Sequence, residues 1–256
     1  MFEMSTRKIA LITGASRGLG RSMALALAER GEDVIGTYHS NKAQADEVKD
    51  AIEAKGGKAV FLPLDAGDVK SFAGFAVAVR QALREVWGRE RFDHLVNNAG
   101  FGHHAPFAQT SEEAFDKLFN VHLKGVFFLT QTLLPLLEDG GRIVNISSGL
   151  ARFSFPGASA YAAMKGGVEV LTRYLAVELG ARGITANTVA PGAIATDFNG
   201  GVVRDNPEMN QRVASYAALG RVGEPEDIGP AVAALLGEET RWVNGQRIEI
   251  SGGMVL

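Results

Sequence analysis

Short apolar runs alternate with longer amphipathic segments along the whole chain. The first cycle shows the pattern: KIALITG (8–14) is a short apolar run, and RSMALALAERG (21–31) has helical spacing and a closing glycine. The apolar runs are mostly continuous, which is typical of strands buried on both faces of a parallel sheet. The sequence therefore predicts a doubly wound parallel sheet, a three-layer α/β/α Rossmann fold.

The same alternation predicts the other elements. Strands are expected at 33–39, 58–65, 93–100, 141–148, 184–192 and 246–253. Helices are expected at 41–57, 69–87, 111–137, 160–181 and 225–237. The segment 193–216 is the least regular, and its Gly and Asn content predicts a mobile substrate lid. The sequence contains no internal repeat or linker, so residues 1–256 are predicted to form one domain.

Composition limits the partners and the chemistry. The 256 residues carry a formal net charge of −3, which provides no basic surplus for a nucleic-acid backbone. Cysteine is absent, which excludes a disulfide, a Cys-ligated zinc and a thiol nucleophile. MFEMSTRK at the N-terminus has no long apolar stretch, and no run reaches the roughly 20 apolar residues of a membrane span. We therefore expect a cytoplasmic protein that binds no nucleic acid, membrane or metal.

A glycine-rich turn, TGASRGLG (13–20), joins the first strand to the first helix. A tight turn with free N–H groups at a helix start suits a pyrophosphate. Gly14, Gly18 and Gly20 have the spacing G-x-x-x-G-x-G and not G-x-G-x-x-G, so a turn that only reverses the chain is the alternative. Its position between a strand and a helix favours the dinucleotide site.

The end of the second strand distinguishes the two nicotinamide dinucleotides. An acid there would bind the ribose 2′-hydroxyl, whereas a base suits a 2′-phosphate. GTYHSN (36–41) contains no Asp or Glu, while Arg17 lies in the glycine turn and His39, Ser40 and Lys42 follow the strand. These residues favour NADP(H) over NAD(H). The alternative is that Arg17 and Lys42 are ordinary solvated charges.

The segment SSGLARFSFPGASAYAAMK (147–165) carries the most specific chemical pattern. Tyr161 and Lys165 are four positions apart and share one face of a helix. A nearby ammonium, together with the charge of an oxidised nicotinamide, would lower the pKa of Tyr161 and make it a general acid/base. Ser148, at the end of the fifth strand, would hydrogen bond to the same substrate oxygen. The alternative is a Tyr and a Lys that only cover the helix surface.

Together these motifs resemble the short-chain dehydrogenase/reductase family. TGASRGLG, NNAG (97–100), SS followed by YAAMK, and PG (191–192) occur in the order and at the spacing of that family. The resemblance covers essentially the whole chain and is greatest to 3-oxoacyl-acyl-carrier-protein reductase-like members. It implies an NAD(P)-dependent oxidoreductase on a Rossmann fold and a homotetramer.

The resemblance also implies roles for single residues. Tyr161 would be the acid/base, Lys165 would bind the nicotinamide ribose and lower the pKa of the tyrosine, and Ser148 would orient the substrate carbonyl. Met164, where Ser is common in the family, is expected to be harmless. The other cofactor contacts would come from the glycine turn and the strand ends: Gly14, Ser16, Arg17, Gly18, Leu19, Gly20, His39, Ser40, Asp65, Ala66, Asn98, Ala99, Gly100, Pro191, Gly192, Ile194 and Thr196.

One position departs from the family pattern. The family's fourth catalytic residue is an Asn, associated with a backbone distortion, in a block that commonly reads NLKGVF; here the block reads HLKGVF (122–127). Asn120 stands two places earlier and would point about 200° away on a helix. His122 is therefore expected to replace that Asn in the proton relay from Lys165 and to make the relay more pH-sensitive. The alternative is a helix His satisfied by a neighbour, with no catalytic role.

The expected activity is NADPH-dependent reduction of a ketone, including a 3-oxoacyl thioester, to a secondary alcohol. An alcohol dehydrogenase acting on a steroid, sugar or cyclic alcohol is the alternative, and a non-catalytic dinucleotide sensor is a further one. A hydrolase that uses Ser148 with His103 or His104 is disfavoured because NISSG lacks the G-x-S-x-G elbow.

The substrate is less constrained than the reaction. GLARFSFPG (149–157) and FGHHAPF (101–107) supply Phe and Ala to the expected pocket, which favours an apolar or aromatic ketone. An acyl-carrier partner would instead need a basic entrance patch. Its candidate residues are Arg152, Arg204 and Arg212.

Overall fold

Seven parallel strands form one sheet in a computed structural model that describes residues 7–256. The expectation for MFEMSTRK falls almost entirely outside the described residues. The strands are β1 (Ile9–Ile12), β2 (Asp33–Tyr38), β3 (Ala59–Pro63), β4 (Phe92–Asn97), β5 (Leu137–Ile146), β6 (Thr185–Pro191) and β7 (Arg247–Ile250). Their order is β3-β2-β1-β4-β5-β6-β7, which reverses direction between β1 and β4. This order confirms the doubly wound fold and places a ligand crevice at the carboxyl ends of β1 and β4.

Helices cover both faces of the sheet. They are α1 (Gly18–Glu29), α2 (Lys42–Glu53), α3 (Phe72–Ala82), α4 (Glu112–Phe119), α5 (Gly125–Leu133), α6 (Ser159–Glu178), α7 (Val202–Asp205), α8 (Pro207–Ala214) and α9 (Pro225–Leu235). One apolar core lies under α1, α2 and α9, and a second lies under α3, α5 and α6. The result is the predicted three-layer arrangement.

The strand β1 shows why the apolar runs are continuous. Ala10 and Ile12 belong to the first core, while Ile9 and Leu11 belong to the second. Successive side chains of a strand point to opposite faces, and each face here is covered by helices. Every position of the strand is therefore buried and apolar.

The predicted helix 111–137 is wrong in two respects. A π-helical turn, Asn120–Lys124, separates α4 from α5. The helical part then ends in a 3₁₀ turn, Leu134–Leu136, and β5 already begins at Leu137. Pro135 lies in the 3₁₀ turn, and proline cannot donate the backbone hydrogen bond that would continue a helix.

The segment 193–216 is more regular than expected because it contains α7 and α8. The side chain of Asn206 caps α8 by accepting a hydrogen bond from the backbone N–H of Met209, and Pro207 occupies the first helical position. These local signals start a short helix without a long apolar periodicity. Within the described residues, no helix is long and apolar enough to cross a membrane.

Candidate active site

Ser148, Tyr161 and Lys165 meet at the carboxyl edge of the sheet. Ser148 follows β5, and the other two lie on α6. The buried Lys165 donates a hydrogen bond from Nζ to the carbonyl oxygen of Ile146 at 2.8 Å. Its Nζ also lies 5.6 Å from the ring centroid of Tyr161. The sheet edge therefore holds the ammonium beside the phenol, as the spacing of the two residues requires.

Burial sets the protonation of this pair. It lowers the pKa of Lys165 to about 8. It also raises the pKa of Tyr161 above its usual value, and the neighbouring Ser148 hydroxyl offsets this only in part. The expected lowering combined the ammonium with the charge of an oxidised nicotinamide, whereas the polypeptide alone gives the opposite direction. The chain thus holds Tyr161 as a neutral phenol, which is a proton donor.

His122 lies inside the π-helical turn between α4 and α5. Its side chain is buried, and its Nε2 lies 2.7 Å from the carbonyl oxygen of Phe101. Its ring meets the ring of Tyr161 edge-on, with 5.2 Å between the centroids. Asn120 instead lies beside Gly67, on the other side of the turn. The widened turn therefore brings His122 beside Tyr161, as predicted, and leaves Asn120 away from it.

The protonation of His122 differs from the expectation. Burial and the charge of Lys165 lower its pKa to about 3, although the bond to Phe101 opposes this. A neutral ring that donates from Nε2 to Phe101 leaves Nδ1 as an acceptor, and Nδ1 is buried with no partner in the described protein. This lowering of the pKa opposes the expected pH sensitivity, because it keeps the imidazole neutral throughout the neutral range.

The glycine turn lets a ligand come close to its main chain. Gly14 has a φ of +68°, and a Cβ on Gly20 would collide with the carbonyl oxygen of Gly14. Asn98 braces the turn by donating from Nδ2 to the carbonyl oxygens of Thr13 and Gly14, at 2.9 and 3.1 Å. Within residues 7–256, no side chain caps the N-terminus of α1. The free N–H groups and the close backbone packing fit a dinucleotide pyrophosphate.

The end of β2 borders an open cleft of about 450 Å³ that is also lined by residues of β3 and α3. His39 lies at its mouth, with Nε2 3.9 Å from Oδ2 of Asp65. The other oxygen of Asp65 accepts a hydrogen bond from the backbone N–H of Gly67 at 2.8 Å. Two of the residues expected at the adenosine end, His39 and Asp65, therefore line one cleft.

Arg17 approaches a different part of the site. Its Nη1 lies 3.8 Å from Oδ2 of Asp197, in the segment that follows β6. In that segment, the Thr196 hydroxyl accepts a hydrogen bond from the backbone N–H of Phe198 at 3.2 Å. Upstream of it, the backbone N–H of Gly192 donates to the carbonyl oxygen of Ile250 at 3.0 Å. The segment after Pro191 and Gly192 thus passes the glycine turn, and Arg17 of that turn contacts it through Asp197.

Sequence reasoning missed the polar residues that brace the site from inside the sheet. The Thr13 hydroxyl accepts hydrogen bonds from the backbone N–H groups of Asn98 and Ala99, both at 2.9 Å. The side chain of Asn97 donates to Asn145 at 2.8 Å, and that of Asn145 donates to Thr172 at 2.9 Å. The available signal was a set of polar residues inside apolar strand runs, because buried polar groups are retained when they are paired.

The alternative serine nucleophile lacks a base. Ser148 Oγ accepts a hydrogen bond from the backbone N–H of Leu150 at 3.2 Å, and no histidine hydrogen bonds to it among the described residues. Nε2 of His104 lies 3.0 Å from the carbonyl oxygen of Pro156, so His104 ties two loops together. Residues 7–256 also contain no cluster of three or more His, Cys, Asp or Glu that could hold a metal ion.

Comparisons with known proteins agree with this geometry. A family model described as enoyl-(acyl carrier protein) reductase matches residues 14–255. The 3-oxoacyl-[acyl-carrier-protein] reductase FabG of Staphylococcus aureus (strain Mu50 / ATCC 700699) is 36% identical, over 99% of this chain and 100% of that protein.

Two solved structures have the same fold. The promiscuous reductase LugOII, which catalyses keto-reduction at C1 during lugdunomycin biosynthesis, has a TM-score of 0.93 at 39% identity, covering 98% of this chain and 99% of that one. The angucycline C-6 ketoreductase LanV with bound NADP has a TM-score of 0.92 at 35% identity, covering 97% and 95%.

The strand order and the site define a dinucleotide-binding oxidoreductase. The chain belongs to the short-chain dehydrogenase/reductase family, which confirms the resemblance seen in the motifs.

Proposed function

We propose that this protein reduces a ketone to a secondary alcohol with NADPH as the hydride donor. One observation carries the proposal: Ser148, Tyr161 and Lys165 converge at the carboxyl edge of the sheet, at the end where the glycine turn leaves β1. The similarity to reductases that act on carbonyl groups supports it. The raised pKa of Tyr161 also favours reduction, since a neutral phenol is the form that gives a proton to a carbonyl oxygen.

The residues divide the work as follows. NADPH, when bound, supplies a hydride that forms the new C–H bond at the carbonyl carbon. Tyr161 transfers its phenolic proton to the carbonyl oxygen as the C=O double bond becomes a single bond, and the Ser148 hydroxyl donates a hydrogen bond to the same oxygen. The Lys165 ammonium stabilises the resulting tyrosinate. The neutral His122 offers Nδ1 as an acceptor on the path by which the tyrosine regains a proton from solvent.

The cofactor site follows from the same geometry. The residues of the glycine turn are proposed for the pyrophosphate, and Asp65, Ala66 and His39 for the adenosine end; the cleft lined by His39 and Asp65 supports this. We favour NADP(H) because the end of β2 carries no carboxylate at positions 39–41 and because NADP is bound in the LanV structure. The segment 193–216 is proposed as a lid, with Arg17 and Asp197 as its contact to the glycine turn.

A homotetramer is proposed on the basis of exposed apolar side chains on neighbouring helices. Phe115, Phe119 and Phe127 are exposed on α4 and α5, and Tyr174 and Val177 are exposed on α6. A monomer rarely leaves such a set in water, whereas a symmetric interface buries it. The test compares the mass in solution of the wild type with that of the Val177→Lys variant. The variant is expected to have the smaller mass, because the lysine places a charge in the proposed interface.

The experiment for the function follows absorbance at the reduced nicotinamide band with NADPH and a panel of ketones, and with NADP and the matching alcohols. Tyr161→Phe is expected to lower kcat by roughly 100-fold or more while NADPH binding, measured by fluorescence, stays unchanged. Oxidation that is faster than reduction under matched conditions would favour the alcohol dehydrogenase alternative. Cofactor binding with no turnover of any ketone or alcohol would favour the non-catalytic sensor.

A further inference from the structure

Aromatic side chains pack against the ring of Tyr161 from more than one side. The Phe198 ring meets the Tyr161 ring edge-on, with 6.0 Å between centroids. On another side, the rings of His122 and Phe101 have centroids 5.3 Å apart. Phe101 follows β4, and Phe198 follows β6. These residues form the first aromatic group, which packs around the ring of Tyr161.

A second aromatic group comes from two segments. Phe153 and Phe155 lie in the loop after β5, and Tyr216 lies at the end of the proposed lid. Phe155 meets Phe153 at 5.4 Å and Tyr216 at 5.1 Å between ring centroids. Phe153 is buried, but Phe155 and Tyr216 remain 36% and 37% exposed. The second group therefore has an anchored base and two rings that present apolar surface to solvent.

Loop contacts join the segments that carry the two groups. The backbone N–H of Ala105 donates to the carbonyl oxygen of Gly157 at 3.0 Å, and His104 contacts the neighbouring Pro156. Gly102 packs so closely against the Asn199 side chain that a Cβ there would collide with it. The loop that carries Phe101 thus touches the Phe155 loop on one side and the lid on the other. A cluster of partly exposed rings at a catalytic edge marks a site for an aromatic ligand.

The charges of the same region do not suit an acyl-carrier protein. Arg152 is paired with Glu249 at 2.7 Å and also donates to the carbonyl oxygens of Met254 and Val255. Arg204 is paired with Asp197 and Asp205. Two of the three arginines expected to form a basic entrance patch are therefore neutralised by carboxylates, which leaves little positive field for an acidic carrier.

We infer that the substrate of this protein is a flat, fused-ring aromatic ketone, held between the Phe101–Phe198 group and the Phe155–Tyr216 group. The inference rests on the ketone reduction proposed above and names its substrate class. Offset stacking and edge-to-face contacts favour planar rings over saturated rings of the same size. Phe155 and Tyr216 are thereby specificity-determining residues.

The test compares 2-tetralone, 2-decalone and the acetoacetyl thioester of N-acetylcysteamine, with NADPH oxidation as the readout. The two bicyclic ketones have the same carbon skeleton, and neither carbonyl is conjugated to a ring, so they differ mainly in planarity and aromaticity. We expect kcat/KM for 2-tetralone to exceed that for 2-decalone by roughly tenfold, since two ring contacts are gained. We also expect it to exceed that for the thioester.

The variants Phe155→Leu and Tyr216→Leu keep an apolar side chain and remove the ring. Each is expected to lower kcat/KM for 2-tetralone roughly threefold to tenfold and to leave that for 2-decalone within twofold. Trp242→Leu is the matched control, because Trp242 is a 96% exposed aromatic side chain that precedes β7, at the edge of the sheet opposite Ser148 and Tyr161. Thermal unfolding of each variant checks that the fold is intact.

Other outcomes would count against the aromatic substrate. Equal kcat/KM for the two bicyclic ketones, or a preference for the thioester, would overturn the aromatic inference and leave ketone reduction standing. Unchanged selectivity in both leucine variants would also overturn it. Failure to reduce any of the three compounds, with NADPH bound, would count against the proposed function as well.

Discussion

The His122 ring lies edge-on to the Tyr161 ring, with centroids 5.2 Å apart and an interplanar angle of 83°. The contact exists because the π-helical turn Asn120–Lys124 displaces the helix at this point. The imidazole is fixed on its other side by Phe101, so it buttresses the proton donor and leaves Nδ1 available. A histidine can therefore stand where the family pattern has an asparagine, provided that it stays neutral.

His122→Ala is expected to lower kcat about fivefold to tenfold, the effect of losing one hydrogen bond of about 1–1.5 kcal/mol. His122→Asn is expected to recover much of that rate. Because the pKa of His122 is lowered to about 3, neither variant should shift the pH profile of kcat between pH 5 and 9. Full activity of the alanine variant at every pH would refute a role in the relay. A wild-type inflection near pH 6 that the variants lose would show that the imidazole titrates.

Ser40→Asp places a carboxylate at the end of β2, where the ribose 2′-phosphate of NADPH is proposed to bind. Repulsion should lower kcat/KM for NADPH at least roughly tenfold, with little loss for NADH. Ala54→Asp adds the same charge at the far end of α2 and serves as the control. Equal losses for the two cofactors would place the 2′-phosphate elsewhere.

Arg247 links β7 to Ser148, the serine proposed to orient the substrate carbonyl. Its guanidinium donates to Glu169 and Glu249, each at 2.7 Å, and to the carbonyl oxygen of Ser148 at 3.3 Å. Arg247→Met should destabilise the fold by roughly 1–3 kcal/mol, because Glu169 loses the cation that pairs with it and Glu249 is left with Arg152 alone. If Arg247 positions Ser148, the substitution should also lower kcat by a larger factor than it raises KM for NADPH.

Urea unfolding and steady-state kinetics measure the two effects, and Arg247→Lys should restore part of each. Arg84→Met is the control, since its pair with Glu90 is exposed to solvent and should contribute little to stability. An Arg247→Met variant that is destabilised but keeps its kcat would limit Arg247 to a structural role.

Glu32 lies at the opposite edge of the sheet, buried against His94, with one carboxylate oxygen unpaired in the described protein. Burial, and then the charge of Asp93, raise its pKa to about 7, against the opposing charges of Arg30, Lys8 and Arg142. The folded state thus holds the proton more tightly than the unfolded state. The stability from this group is fully present below pH 4.5 and is lost as the pH rises through about 7.

Glu32→Gln should therefore be more stable than the wild type at pH 8, by up to about 3 kcal/mol, with the difference vanishing towards pH 4.5. Thermal or urea unfolding at several pH values measures this. Glu29→Gln, on the surface, is the control. A variant that is less stable than the wild type at pH 8 would mean that the ionised carboxylate is well paired.

Local signals were sufficient for the fold and for bringing the proposed catalytic residues Ser148, Tyr161 and Lys165 together. The continuous apolar runs of strands such as β1 report burial on both faces, and the spacing of Tyr161 and Lys165 places them on one face of α6. The helix α8 was missed because it is started by Asn206 and Pro207 and not by a long apolar period. The buried hydroxyl of Thr13 was missed because its partners are distant in sequence.

By itself, the sequence determined the sheet, its order of strands and helices, and the candidate residues at the strand ends, since periodicity and turn chemistry depend on neighbours along the chain. Only the tertiary structure decided the protonation of Tyr161 and His122, because the pKa of each depends on burial and charge brought by other segments. It also decided that Arg152 and Arg204 are paired with carboxylates, while the rings of Phe155 and Tyr216 contact each other and stay partly exposed. These properties arise where separate loops meet, and a linear pattern does not contain that information.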